Sequence, residues 1–244
     1  MKKNFFLHFS LKNKSFYKLY LFYNLYIRNL KYYFSKSYSQ LDEDVFLKKY
    51  FNKKKGFYVD IGCHHPFKHN NTFLLYKDGW SGINIDLNKI SIDLFNIARP
   101  RDVNICTAIT NKKGLVKYYL PDNNPLSSEI TISKNFSKIL KNHHGNLYKS
   151  FSTNGTTWDS IEKKYKSYIK TIDLLKIDIE GSDLKVLKTI KLNSLKPRLI
   201  MVEAVHFDRK GRRDIIKYLK MKNYKILYDN KLNVIFKKNK HSNS

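Results

Sequence analysis

Two aspartates, Asp60 and Asp86, each close a short apolar run, and Gly62 follows the first almost at once. A carboxylate at the end of a strand can accept hydrogen bonds from both hydroxyls of a ribose, and a glycine in the preceding loop lets backbone approach a ligand closely. Asp60 supplies a further acceptor suited to an amino group. The loop Gly62-Cys63-His64-His65-Pro66 holds a single glycine. A pyrophosphate needs a glycine-rich turn and a helix N-terminus, so NAD and FAD are poorly served. A nucleoside without phosphates is served better, which points to S-adenosylmethionine as the expected cofactor. Either aspartate alone reads equally well as a turn former or helix cap. The pair, on successive strands with Gly62 between, carries the assignment.

A second group of side chains could move a proton. Asp178-Ile179-Glu180-Gly181 ends another apolar run, Glu203 ends the next, and His64, His65 and His206 lie in adjoining loops. A hydroxyl is a weak nucleophile, and a base within hydrogen-bond reach accelerates attack by about 10²–10⁴-fold. Asp178 and Glu180 are expected not to point into one site together while the strand persists. The expectation is Asp178 toward the ligands and Glu180 in the turn. No metal is expected. His143-His144 and the His64/His69 pair lack metal-ligand spacing, and Asp178 with Glu180 makes too small a carboxylate cluster.

The elements that must position these residues alternate strand and helix. Strands are expected at 57–61, 82–86, 103–109, 172–179 and 198–202, with helices at 42–51, 72–77, 90–98, 182–190 and 212–221. Residues 115–120 read as a hairpin partner of the third strand, and 224–228 with 232–236 form a closing hairpin around Asp229-Asn230-Lys231. Near-continuous apolar strands separated by helices predict a mostly parallel sheet covered on both faces, with an antiparallel C-terminal edge. Residues 121–150 carry turn signals and short Ser/His-rich stretches. Long loops of this kind are commonly functional.

The 244 residues suit one α/β domain with an appendage. There are 47 Lys+Arg against 20 Asp+Glu, for a net charge of +27, which raises the question of nucleic acid. Only seven of the basic residues are arginine, the side chain that nucleic-acid surfaces favour for bidentate and stacking contacts. A lysine-solvated surface without specific nucleic-acid binding is the expected reading. Two cysteines, Cys63 and Cys106, form no C-x-x-C pair, in keeping with a reducing, cytoplasmic setting. Residues 1–41 differ from the rest, with eight basic residues and no acid among abundant aromatics. They are expected to form a helical extension that either lies at the inner membrane surface or packs on the domain. Residues 42–238 then make up the domain and 239–244 a polar tail.

The stretch Tyr58-Val59-Asp60-Ile61-Gly62-Cys63-His64-His65-Pro66 is followed by Asn71-Thr72 and by Tyr76-Lys77-Asp78-Gly79-Trp80-Ser81-Gly82-Ile83-Asn84-Ile85-Asp86. Together with Arg99 to Asn104, Ile172 to Gly181, and Lys196-Pro197-Arg198 leading into Val202-Glu203, it resembles the FkbM family of S-adenosylmethionine-dependent methyltransferases. The likeness runs in order from Gly56 to Phe236. It implies the class I methyltransferase (Rossmann-like) α/β fold, the seven-strand sheet, and O-methyl transfer to a sugar, glycan or other small-molecule hydroxyl. On this resemblance the cofactor-binding residues are Asp60, Gly62, His64, Asp86, Ala108 and Asp178. The catalytic residues are Asp178, His65 and Glu180, and the substrate-binding residues are Ser127, Ser128, Glu203 and His206. Cys63 stands where a small residue such as Ala is usual, and Ser127-Ser128 where Asn-Thr or similar is expected. An RNA or protein methyltransferase, or a non-catalytic module on a membrane surface, are the alternatives.

Overall fold

The computed structural model describes residues 13–52, 55–121, 127–169, 171–204 and 208–239. Five parallel strands form the centre of the molecule. They are β1 (Phe57–Ile61), β2 (Ser81–Asp86), β3 (Val103–Cys106), β7 (Leu174–Ile177) and β8 (Leu199–Glu203), with β9 (Tyr224–Asp229) and β10 (Asn233–Lys238) completing the sheet. The order is β3-β2-β1-β7-β8-β10-β9, and β10 runs antiparallel to both of its neighbours. This is the mostly parallel sheet with an antiparallel C-terminal hairpin expected from the sequence. The chain reverses its direction of travel across the sheet between β1 and β7, and ligands of open α/β sheets bind outside the carboxyl ends of strands at such a point.

Burial on both faces explains the apolar strands. Val59, Ile61, Ile85, Leu175, Ile177 and Val202 face one core, against Val186 and Leu187 of α8 (Asp183–Leu187) and Leu219 of α10 (Arg209–Met221). Tyr58, Leu174, Leu199 and Met201 face the other. There they meet α3 (Glu43–Phe51), α4 (Phe73–Lys77) and α5 (Lys89–Ala98). The described part of the N-terminal extension joins this second core. Its α1 (Lys14–Phe22) runs into a π-helical turn, Tyr23–Arg28, and then α2 (Leu30–Tyr33), and Tyr20, Leu21 and Leu25 are buried with Phe67, Ile90 and Leu94. Asp44 ties the junction, accepting from the Tyr38 backbone N–H at 2.7 Å and the Ser37 hydroxyl at 2.7 Å.

Three sequence expectations change. The single strand expected over 103–109 breaks at Thr107, and β4 (Ala108–Ile109) belongs to a separate sheet. In that sheet the order is β4-β6-β5, formed with β5 (Gly114–Pro121) and β6 (Tyr148–Thr156). Residues 115–120 therefore pair with β6, antiparallel, rather than with the third strand. The stretch 121–150 also contains a helix, α6 (Lys134–His144), capped by the Ser133 hydroxyl accepting from Phe136 N–H. Between β6 and β7, Trp158 and Ile161 of α7 (Trp158–Lys164) pack into the first core. A short α9 (Leu192–Leu195) leads into β8.

Candidate active site

The carboxyl ends of β1, β2, β7 and β8, with β4, line one cavity of about 300 Å³. Gly62, immediately after β1, has φ +81°, and a Cβ built there would lie 1.7 Å from the Asp178 carbonyl oxygen. Only glycine lets the ends of β1 and β7 approach so closely. The loop is held from the other side as well, since Gly62 N–H donates to the Ile85 carbonyl at 2.8 Å. Asp86, at the end of β2, receives the backbone N–H of His64 at 2.8 Å and of Asn88 at 2.8 Å, one on each oxygen. Two fixed amides thus aim its carboxylate into the cavity. Burial raises its pKa to about 6 despite those amides. Ala108 lines the cavity beside Thr107 and Ile109 and leaves it open where a larger side chain would fill it.

At the centre sits Lys176, which the sequence reading did not single out. Its ammonium lies 3.1 Å from Asp60, 3.2 Å from Asp178 and 3.0 Å from the Gly62 carbonyl. All three donors are used. Burial alone would lower its pKa, but Asp60 and Asp178 outweigh burial and hold the pKa above the ordinary lysine value. The register of the parallel sheet places Asp60 directly opposite Lys176. The other Asp60 oxygen accepts from the Thr72 hydroxyl at 2.9 Å, which in turn receives the buried Arg99 guanidinium at 2.8 Å. Asp60 therefore lies behind the cavity wall and acts on the site through Lys176, rather than reaching a ligand as expected. A lysine in the otherwise apolar run Leu174-Leu175-Lys176-Ile177 was the signal available in the sequence.

Asp178, Glu180 and Glu203 converge in the same cavity, each with one carboxylate oxygen within 4.8 Å of the others. The expected separation of Asp178 from Glu180 does not hold: residues two apart share a face even in a strand, and after β7 ends at Ile177 the turn carries both carboxylates into the cavity. Glu180 then takes φ +52°, a conformation rare for a side chain larger than glycine, and Gly181 follows at +84°. Asp183 secures this turn by accepting from the N–H groups of Ile179 at 2.9 Å and Gly181 at 3.0 Å. A Cβ at Gly181 would strike the Phe136 ring of α6. Burial, then the charge of Asp178, pushes both Glu180 and Glu203 well above the usual carboxylate range. Both glutamates therefore keep their protons to higher pH than an exposed glutamate does. Glu203 makes the cluster larger than the two carboxylates weighed from the sequence, and Lys176 already neutralises its Asp178 corner.

The remaining expected residues divide. His64 lines the cavity, and burial, followed by the charge of Lys68, lowers its pKa to about 4. Ser127 and Ser128 line the same cavity. Glu129 lies with them, receiving the Tyr148 hydroxyl at 2.6 Å, and nothing in its sequence context marked it. His65 is not brought to the cavity. Its Nδ1 accepts from the N–H groups of Phe67 and Lys68, and its Nε2 meets the side chain of Asn24 at 3.1 Å. With both nitrogens engaged and the residue 5% exposed, His65 rivets the first loop to the N-terminal segment. His206 lies outside the described residues.

Residues 60–226 match the Methyltransferase FkbM domain, a span of more than half the chain. The chain belongs to the FkbM methyltransferase family. No curated protein matches it. The crystal structure of a fibrillarin/Nop5p complex is similar over 75% of this chain and 70% of that one, at 12% identity and a TM-score of 0.36. Membership in the FkbM family implies S-adenosylmethionine as methyl donor. The residues present fit a nucleoside: Gly62 allows close approach, Asp86 presents a fixed acceptor, and Ala108 leaves room beside it. Among the described residues no helix is long and apolar enough to cross a membrane.

Proposed function

We propose that this FkbM methyltransferase uses S-adenosylmethionine to methylate a hydroxyl of a sugar, glycan or other small molecule. The observation that supports this reading is the convergence of Asp178, Glu180 and Glu203 in the cavity that Asp86 and Gly62 open onto. When bound, the donor supplies an electrophilic methyl on a sulfonium. The protein's share is alignment, water exclusion and removal of the acceptor's proton. Asp86 would hold the ribose hydroxyls, with Gly62, His64 and Ala108 forming the surrounding wall. Asp178, oriented by Lys176, faces the boundary between donor and acceptor. Glu180 is the base, with its proton affinity raised by burial and by its acidic neighbours. Glu203, beside it, carries a proton or a charge as Glu180 changes state. Ser127 and Ser128, which line the same cavity, offer hydroxyls to the acceptor.

The same carboxyl cluster disfavours the RNA reading. A phosphodiester would meet three acidic side chains there, and the cation beside them, Lys176, is already committed to Asp60, Asp178 and the Gly62 carbonyl. Several of the seven arginines also serve the fold. Arg99 is buried beneath β1, and Arg198 and Arg212 pair with Asp173 and Asp229.

The test is thermal melting with donor, followed by mass spectrometry of glycans, small metabolites and RNA incubated with protein and labelled donor. S-adenosylmethionine or its demethylated product should raise the Tm, by an amount equivalent to about 2.7 kcal/mol at a hundredfold excess over Kd, while NAD should not. Label should appear on a hydroxyl of a small molecule or glycan. Stabilisation by NAD alone, or label confined to RNA or protein, would overturn the assignment.

A further inference from the structure

The N-terminal segment has two apolar faces, and the fold uses one of them. Tyr20, Leu21 and Leu25 are buried against the sheet-covering helices. On the other side Leu19 is 55% exposed, Phe22 55%, Ile27 61%, Leu30 49% and Phe34 79%. Scattered exposed apolar residues are ordinary, but a run of large ones along a single short segment marks an interaction surface. Exposed cations alternate with them: Lys14, Lys18, Arg28, Lys31 and Lys36. No acidic residue occurs anywhere in residues 1–41, against eight basic ones. Large apolar side chains interleaved with cations, and no acid, complement the interface of a bilayer carrying anionic headgroups.

We infer that the outer face of residues 14–36 docks this protein on an anionic bilayer surface, with Leu19, Phe22, Ile27, Leu30 and Phe34 entering the headgroup boundary. The inner side of the same segment touches the loops of the active site. Asn24 and Asn29 meet His65, and Tyr32 meets His69, which lines the cavity. Lipid bound to the outer face is then separated from the His65 loop by about one helix diameter, roughly 10–12 Å. The surface therefore holds the methyltransferase cavity close to acceptors carried by the membrane. Docking itself needs neither donor nor acceptor, so its failure would leave the transfer reading untouched.

The experiment is co-sedimentation of the full chain with vesicles of phosphatidylcholine alone and of phosphatidylcholine mixed with phosphatidylglycerol. Binding is expected only to the mixed vesicles and should weaken as salt is raised. Leu19→Asp, Ile27→Asp and Phe34→Asp combined should lower it by at least about tenfold while leaving the donor-induced Tm shift unchanged. Leu115→Asp, equally exposed but on β5, should bind vesicles as the parent does. Should the triple variant lose its cooperative melt, Lys14→Gln, Lys18→Gln and Lys31→Gln decide the matter, with an expected loss of about fivefold per charge. No sedimentation with mixed vesicles, or binding unaltered in the charge variants, would overturn the inference. So would light scattering showing that the parent is a dimer which the face variants split, since a second copy would then occupy the surface.

Discussion

On the proposed assignment, the donor half and the acceptor half of the cavity are built in different ways. The donor half comes from the first two strand–loop units, where Gly62 and Asp86 sit at consecutive strand ends and the parallel register of β1 with β2 brings them together. The acceptor half is assembled from distant pieces: the Asp178–Glu180 turn, Glu203 one strand further on, and the 127–132 segment, pinned by the Thr131 hydroxyl donating to the Glu180 carbonyl. A strand end with a neighbouring strand is a local device that leaves a readable spacing. A wall made of an excursion folded back through a second sheet leaves none. The difference also predicts how each half fails, with donor-side changes read in binding and acceptor-side changes in turnover.

The largest expected effect lies on the acceptor side. Glu180→Gln should lower kcat by about 10²–10⁴-fold, because it keeps the shape and removes the base. Donor affinity measured by calorimetry should stay within about twofold. A variant that loses donor binding in proportion to kcat would place Glu180 on the donor side and erase the division. Next comes Gly62→Ala, where the added methyl meets the Asp178 carbonyl in a left-handed conformation. A loss of about 2–4 kcal/mol in stability is expected, with donor binding lost as well. Chemical denaturation would check it, and an alanine variant as stable as the parent would mean that β1 and β7 do not press together there.

Asp86 gives the intermediate effect. Asp86→Ala should weaken the donor by about 1–3 kcal/mol through loss of charge-assisted bonds to the ribose. Its raised pKa sets opposite pH trends for the two states. In the ligand-free protein a carboxyl raised to about 6 contributes stability that is complete below the unfolded value near 3.8 and is lost as pH rises through 6. Asp183, also raised to about 6, adds to the same trend. Donor binding prefers ionised Asp86, so the Tm increment produced by donor should grow from pH 5 to pH 7. A pH series of melts with and without donor measures both slopes, and an increment that is flat in the parent but changes in Asp86→Asn would contradict the sign. The smallest effect is expected for Ser128→Ala, about 0.5–1.5 kcal/mol in KM for the acceptor and none in donor Kd. A change confined to donor Kd would move this wall to the other half of the cavity.

Read as a sequence, the chain already implied its sheet, the strand ends that carry Gly62, Asp86, Asp178 and Glu203, and its family. Those features follow from apolar runs ended by glycine or an acid, a pattern that backbone sterics and two-sided burial impose locally. The N-terminal extension was visible as basic and aromatic, and its readings were packing or a surface contact. The folded chain packs one face and exposes another, because the sheet-covering helices can contact only the side turned toward them. Which loop residues enter the cavity was decided by tertiary structure. His65 left it because Asn24, 41 residues earlier, claims its Nε2. Asp60 withdrew behind the wall because parallel register sets it against Lys176. Glu180 entered because the strand stops at Ile177 and a left-handed turn, held by Asp183, redirects the chain. Each outcome depends on a partner brought near only by strand pairing or by the turn after a strand, and spacing along the chain carries no record of that partner.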